Sequence, residues 1–200
     1  MSGTESPRLT GAEKLTLLRI ARDTLTARLQ GREAGDLERY PLTPALRDRR
    51  GAFVTLHDAR GGLRGCIGSI QTNKSLAETV RANAVNAGFN DPRFAPLRPA
   101  ELEGLHIEIS ALFPGETAGS PFFRVNNPEE IVIGRDGLYL EHAVSGQGGL
   151  LLPQVPVEQG WDAASFLEHL CMKAGLPSGS WKSPACRLWR FGAEVFSEEE

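Results

Sequence analysis

The sequence predicts an α+β fold with a largely antiparallel sheet flanked by helices, on three observations. Strand-like runs come in pairs separated by glycine-rich turns, and two Ser/Thr-x-x-Glu boxes open amphipathic helices. No regular strand–helix–strand repetition is visible, which argues against a doubly wound sheet. The 200 residues are enough for a substantial core and read as one domain over residues 11–196. Residues 1–10 read as an N-terminal tail and residues 197–200 as an acidic one.

Thr10 and Glu13 form the first capping box, each side chain satisfying the other residue's backbone donor. Leu15, Leu18, Leu25 and Leu29 then recur at helical spacing, and Gly31 supplies a left-handed stop. Residues 33–44 read as a loop containing two prolines. Gly51 to His57 is rich in β-branched and aromatic residues and reads as a strand. Asp58 to Gly62 is turn material, and Leu63 to Ile70 is the hairpin partner. Ser75 and Glu78 make the second box, opening a helix that turns Leu76, Val80, Ala84 and Ala87 to one side and ends at Gly88.

Asp91-Pro92-Arg93-Phe94 reads as a rigid connector, with Asp91 satisfying local backbone donors, Pro92 fixing the path and Phe94 anchoring. Leu105, Ile107, Ile109 and Ala111 alternate with His106, Glu108 and Ser110, the pattern of a half-buried strand. Ile131–Ile133 and Leu138–Leu140 flank Asp136-Gly137, a hairpin signal. A glycine-rich stretch, Ser145 to Gly149, leads into Leu150-Leu151-Leu152-Pro153-Gln154-Val155. Asp162 caps a third helix with Phe166, Leu167, Leu170 and Ala174 inward and Gly175 as its stop. Cys186 to Phe196 reads as the last strand.

The net charge of −3 gives no electrostatic footprint for nucleic acid, and Arg47, Arg49 and Arg50 read as a solvated face. No apolar run of about 18 residues exists to span a membrane. Three widely spaced cysteines do not suggest a disulfide framework, and reduced thiols in a cytoplasm are the simplest expectation.

The chemistry-bearing segment is Leu63-Arg64-Gly65-Cys66-Ile67-Gly68. On a regular strand Arg64, Cys66 and Gly68 share one face, and Leu63, Gly65 and Ile67 the other. A guanidinium two residues from a thiol lies roughly 7 Å away at the Cα level and raises the thiolate fraction. Cys66 then reads either as a nucleophile tuned by Arg64 or as a small buried residue whose glycine neighbours mark a bulge. His106 and Glu108 share a strand face and are candidates for proton transfer, as is His142 beside the glycine loop. Arg93 is a candidate ligand contact, whereas Cys171 and Cys186 read as packing residues. Phosphate-loop, zinc-ligand and nucleophile-elbow spacings do not occur, so no cofactor is named and no metal ligand assigned.

The hexapeptide Leu63 to Gly68 resembles the signature of the AMMECR family, system protein A of AmmeMemoRadiSam gene groups. Gly51 to Leu56 precedes it; Asp91 to Phe94, Glu108-Ile109-Ser110, Leu151 to Val155 and Lys173-Ala174-Gly175-Leu176 follow in the family's order. The resemblance implies an α+β domain with a larger and a smaller lobe and a groove between them. It implies a binding or accessory role beside a Memo-type protein and a radical SAM enzyme, with Leu63, Arg64, Gly65, Cys66, Ile67, Gly68 and Arg93 at a site that could take a small-molecule ligand. Its alternative is a thiol-dependent enzyme or covalent carrier using Cys66 with Arg64, His106, Glu108 and His142.

Overall fold

The computed structural model describes residues 8–117 and 119–198. Its elements in chain order are α1 (Gly11–Leu29), α2 (Pro44–Arg47), β1 (Ala52–His57), β2 (Leu63–Ser69), α3 (Leu76–Phe89) and β3 (His106–Leu112). There follow β4 (Phe123–Arg124), β5 (Gly137–His142), β6 (Gly148–Leu151), α4 (Gln154–Gln159), α5 (Ala163–Lys173), β7 (Cys186–Phe191) and β8 (Ala193–Ser197). Two compact units result. The larger runs to Pro114 and takes up the chain again at 119–120 and from Glu194; the smaller comprises 115–117 and Pro121–Ala193. The fold is α+β, with two four-stranded sheets ordered β2-β1-β3-β8 and β4-β7-β5-β6.

In the larger unit β1 pairs antiparallel with both β2 and β3. Val54, Leu56, Ile107 and Ile109 point to one sheet face, where α1 and α3 complete a continuous apolar core. Both capping boxes form, Thr10 with Glu13 and Ser75 with Glu78. Of the four α1 leucines expected inward, Leu18 and Leu25 are buried and Leu29 packs on the core, while Leu15 is exposed; Leu17, Ile20 and Ala21 join the buried face. Leu17, Leu18, Ile20, Ala21 and Leu25 recur at i, i+3, i+4 spacing and make a wider apolar face than the expected leucines alone trace. Gly88 lies buried in the last turn of α3, one residue before its end at Phe89, with Leu25 beside it.

The smaller unit packs α5 on its sheet through Phe166, Leu167 and Leu170, against Leu138, Leu140 and Leu188. Asp136-Gly137 is not a hairpin turn. Asp136 is buried and accepts the Val132 N–H at 2.9 Å and the Arg135 guanidinium at 2.7 Å, so residues 132–136 close as a turn and only β5 is a strand. The expected last strand is two: it breaks at Gly192, β7 pairing with β4 and β5 while β8 closes the other sheet. Of the two expected tails, Met1 to Pro7, Glu199 and Glu200 lie outside the described residues. Leu9 is buried with its N–H on Glu194, and Glu198 accepts the Ile107 N–H at 3.0 Å.

Candidate functional site

Strand β2 is an edge of its sheet, so its outward N–H and C=O groups have no strand partner on that side. At Cys66 a side-chain clamp takes the partner's place. The Cys66 N–H donates to Asp91 Oδ2 at 2.9 Å, and its carbonyl accepts from Arg93 Nη2 at 3.1 Å. Arg93 Nε and Nη2 donate to the two Asp91 oxygens at 3.0 and 2.7 Å, and the Arg93 N–H donates to Oδ1 at 3.1 Å. The Asp-Pro-Arg segment thus mimics one rung of a β-ladder with a buried carboxylate and a half-exposed guanidinium. The Arg93 hydrogen bonds, aided by the Cys66 N–H, hold the Asp91 carboxyl far below the usual carboxylate range despite its burial. Arg93 is pushed up in turn, first by Asp91 and to a smaller extent by the Cys66 side chain beside it.

Arg64 does something else. The β1–β2 register shifts there, Leu56 facing Gly65 and His57 facing Leu63, so Arg64 has no partner across the strands. Its Nε donates to Glu101 Oε1 at 2.7 Å and its Nη2 to the Ala95 carbonyl at 2.9 Å. This bond from Arg64 is the main reason the Glu101 carboxyl is lowered to about 2. Phe94 has a guanidinium on either count: Arg64 lies 5.9 Å and Arg93 5.5 Å from its ring centre. The arginine adjoining the thiol is therefore Arg93, from a distant segment, and Arg64 braces the loop carrying it.

The Cys66 side chain is half-buried, and the Thr55 hydroxyl directly across the hairpin donates to its sulfur at 3.4 Å. The glycines either side have packing reasons. A Cβ on Gly65 would stand 2.2 Å from the Ala87 carbonyl oxygen of α3, and one on Gly68 would stand 2.0 Å from the Phe53 ring. Ile67 packs on the core, whereas Leu63 is 44% exposed.

The remaining candidates fall on other rows. Thr55 pairs with both Cys66 and Glu108, placing Glu108 two strands from Cys66, about 10 Å at the Cα level. His106 pairs with His57, two residues further along. These two histidines, Glu108 and Ser197 line an open cavity of about 410 Å³. His142 belongs to the smaller unit, where its Nδ1 accepts the Ser145 N–H at 3.1 Å. The structure brings together Cys66, Thr55, Asp91 and Arg93, and it sets His106 and Glu108 apart from the sulfur. Thr55, Phe53, Glu101 and the nonlocal reach of Asp91 were not found by sequence reasoning; the i, i+2 spacing of Asp91 and Arg93 was the available signal.

The AMMECR1 family model matches residues 18–196. Protein MK0488 of Methanopyrus kandleri is 43% identical, with 94% of this chain and 92% of that protein covered. Protein MJ0810 of Methanocaldococcus jannaschii is 40% identical over 96% and 93% of the two chains. Among solved structures, the uncharacterized protein PH0010 from Pyrococcus horikoshii superposes with a TM-score of 0.78 at 36% identity, covering 92% of this chain and 90% of that one.

Proposed function

The chain belongs to the AMMECR1 family, and on that premise we propose that it is a binding or accessory component working through the Leu63–Gly68 segment. Its partners in this reading are a Memo-type protein and a radical SAM enzyme, with a small-molecule ligand as the other occupant of the same site. One observation carries the reading: the Asp91–Arg93 clamp fixes the Cys66 peptide while leaving Leu63 and the Arg93 guanidinium at the surface. A rigid, preorganised patch loses little entropy on docking. We also place the chain in a cytoplasm, which its free thiols support. No helix among the described residues is long and apolar enough to cross a membrane.

The test mixes the purified chain with each candidate partner and measures co-elution. Leu63→Asp and Arg93→Glu are expected to weaken the complex at least about tenfold, and Cys66→Ser to keep it. Gly65 is unsuited to this test because α3 leaves no room for a side chain. Absence of any complex with either partner removes the reading.

A second reading has its own support, the Arg93 guanidinium beside the half-exposed Cys66 side chain. In it Cys66 is a nucleophile or covalent carrier, as a thiolate paired with a cation is suited to be. The alkylation rate of Cys66 against pH decides this: half-maximal reactivity well below about 8.5 supports a tuned thiolate, and a value there or above removes it.

A further inference from the structure

We infer that the free edge of β2 next to the clamp captures the C-terminus of a partner peptide. The peptide's last residue pairs with Gly68 as an added strand, and its terminal carboxylate sits on the Arg93 guanidinium and the Gly68 N–H. The inference rests on reading Leu63–Gly68 as a docking site, and it names what docks there. In an antiparallel ladder, backbone groups two residues apart point to the same side. The Cys66 N–H and C=O point away from β1, to Asp91 and Arg93, so those of Gly68 point that way too. The Gly68 groups have no hydrogen-bond partner among the described residues.

This stretch of edge is bounded at both ends. Asp91 and Arg93 fill the rung at Cys66, so an added strand has to stop there. At the other end the Thr72 N–H donates to the Gly119 carbonyl at 3.3 Å. Residues 68–71 between them span about 14 Å, room for a short extended segment. A chain ending against the clamp presents its carboxylate to Arg93, which is half-exposed and whose Nη1 makes no hydrogen bond among the described residues. The Asp91 charge is already engaged, by the Cys66 N–H and by the backbone, Nε and Nη2 of Arg93. Around this corner the guanidinium groups of Arg64, Arg93 and Arg98 stand against only the two carboxylates of Asp91 and Glu101, which favours one more anion. The last side chain is apolar. Gly68 shares a row with Phe53, whose ring lies over the glycine where a Cβ would stand 2.0 Å from it. A residue paired to Gly68 puts its own side chain in that row, against the ring.

The experiment titrates the acetylated peptide Thr-Val-Thr-Val, as free acid and as C-terminal amide, into the full chain and follows backbone amides by NMR. In the free chain the Gly68 amide should exchange faster than that of Cys66, which Asp91 holds. The free acid, extrapolated to saturation, should slow exchange at Gly68 at least about tenfold and bind at least about tenfold more tightly than the amide. Arg93→Gln should abolish that preference while the Cys66 amide stays protected, the sign that the edge is intact. Equal binding of acid and amide, no binding of either at millimolar concentration, or shifts that bypass Gly68 would each overturn the inference. The comparison of acid with amide on the parent chain decides it even if Arg93→Gln fails to fold. Capture of the peptide without any partner complex removes the docking role alone, and a partner complex without capture removes this inference alone.

Discussion

The two units treat cysteine differently. In the smaller unit Cys171 is fully buried and Cys186 nearly so, in one apolar cluster with Phe166, Leu170 and Leu188. Burial pushes both thiols up, and an uncharged sulfur there is a packing atom. In the larger unit Cys66 sits half-buried on an edge strand, with a hydroxyl on its sulfur, a guanidinium beside it and both backbone groups held by side chains. The residue type is the same; the neighbours decide whether it is filler or a surface group. Each unit also holds a buried aspartate bound by a half-exposed arginine, Asp91 with Arg93 and Asp136 with Arg135. The first pair reaches across to another element, while the second closes its own turn.

That contrast can be broken most severely at Asp91. Asp91→Ala strands the Cys66 N–H and frees Arg93, and should cost about 3 kcal/mol in denaturant unfolding of the larger unit. A loss below about 1 kcal/mol would mean that water replaces the clamp at no cost. Next comes Gly65→Ala, expected to cost on the order of 2 kcal/mol because the obstructing atom is helix backbone. Gly68→Ala should cost less, since the Phe53 ring can turn aside.

Acid sharpens the comparison. The folded carboxyls of Asp91 and Glu101 lie below their unfolded values, so the stability they add is present above those values and lost as pH falls through the folded ones. For Glu101 that window runs from its ordinary 4.5 down to about 2. Hydrogen-exchange protection at β2 and at residues 91–101 should therefore fall in that range, and the Asp91→Ala variant should show a smaller change. The smallest effects distinguish the thiols: Cys66→Ser should shift stability by no more than about 0.5 kcal/mol, and Cys171→Ser by about 1–3 kcal/mol.

Much of this architecture could be read from residues. Capping boxes and glycine stops are local devices, and Thr10 with Glu13, Ser75 with Glu78 and Gly175 behave as their spacing predicts. The hairpin from Gly51 to Ile70 likewise follows from its β-branched and aromatic content and its turn. What escaped was nonlocal. A strand's alternation predicts that Arg64 flanks Cys66, but a one-residue register shift sends it to Glu101. The guanidinium that does reach Cys66, at its carbonyl, comes from 27 residues away, and only tertiary pairing could show it. The strand read through Cys186 to Phe196 mixes apolar residues with Arg187, Arg190 and Glu194 on both sides of Gly192, so only that glycine marked where one sheet hands over to the other.

Native-state labelling of all three cysteines with a small alkylating reagent, with and without the candidate partners, is the sharpest single measurement. Cys66 alone should label in the folded chain, and a bound Memo-type protein or radical SAM enzyme should slow it at least about tenfold while Cys171 and Cys186 stay unlabelled throughout. Equal labelling of the three sites, or a Cys66 rate indifferent to both partners, would contradict the placing of the docking surface on that edge strand.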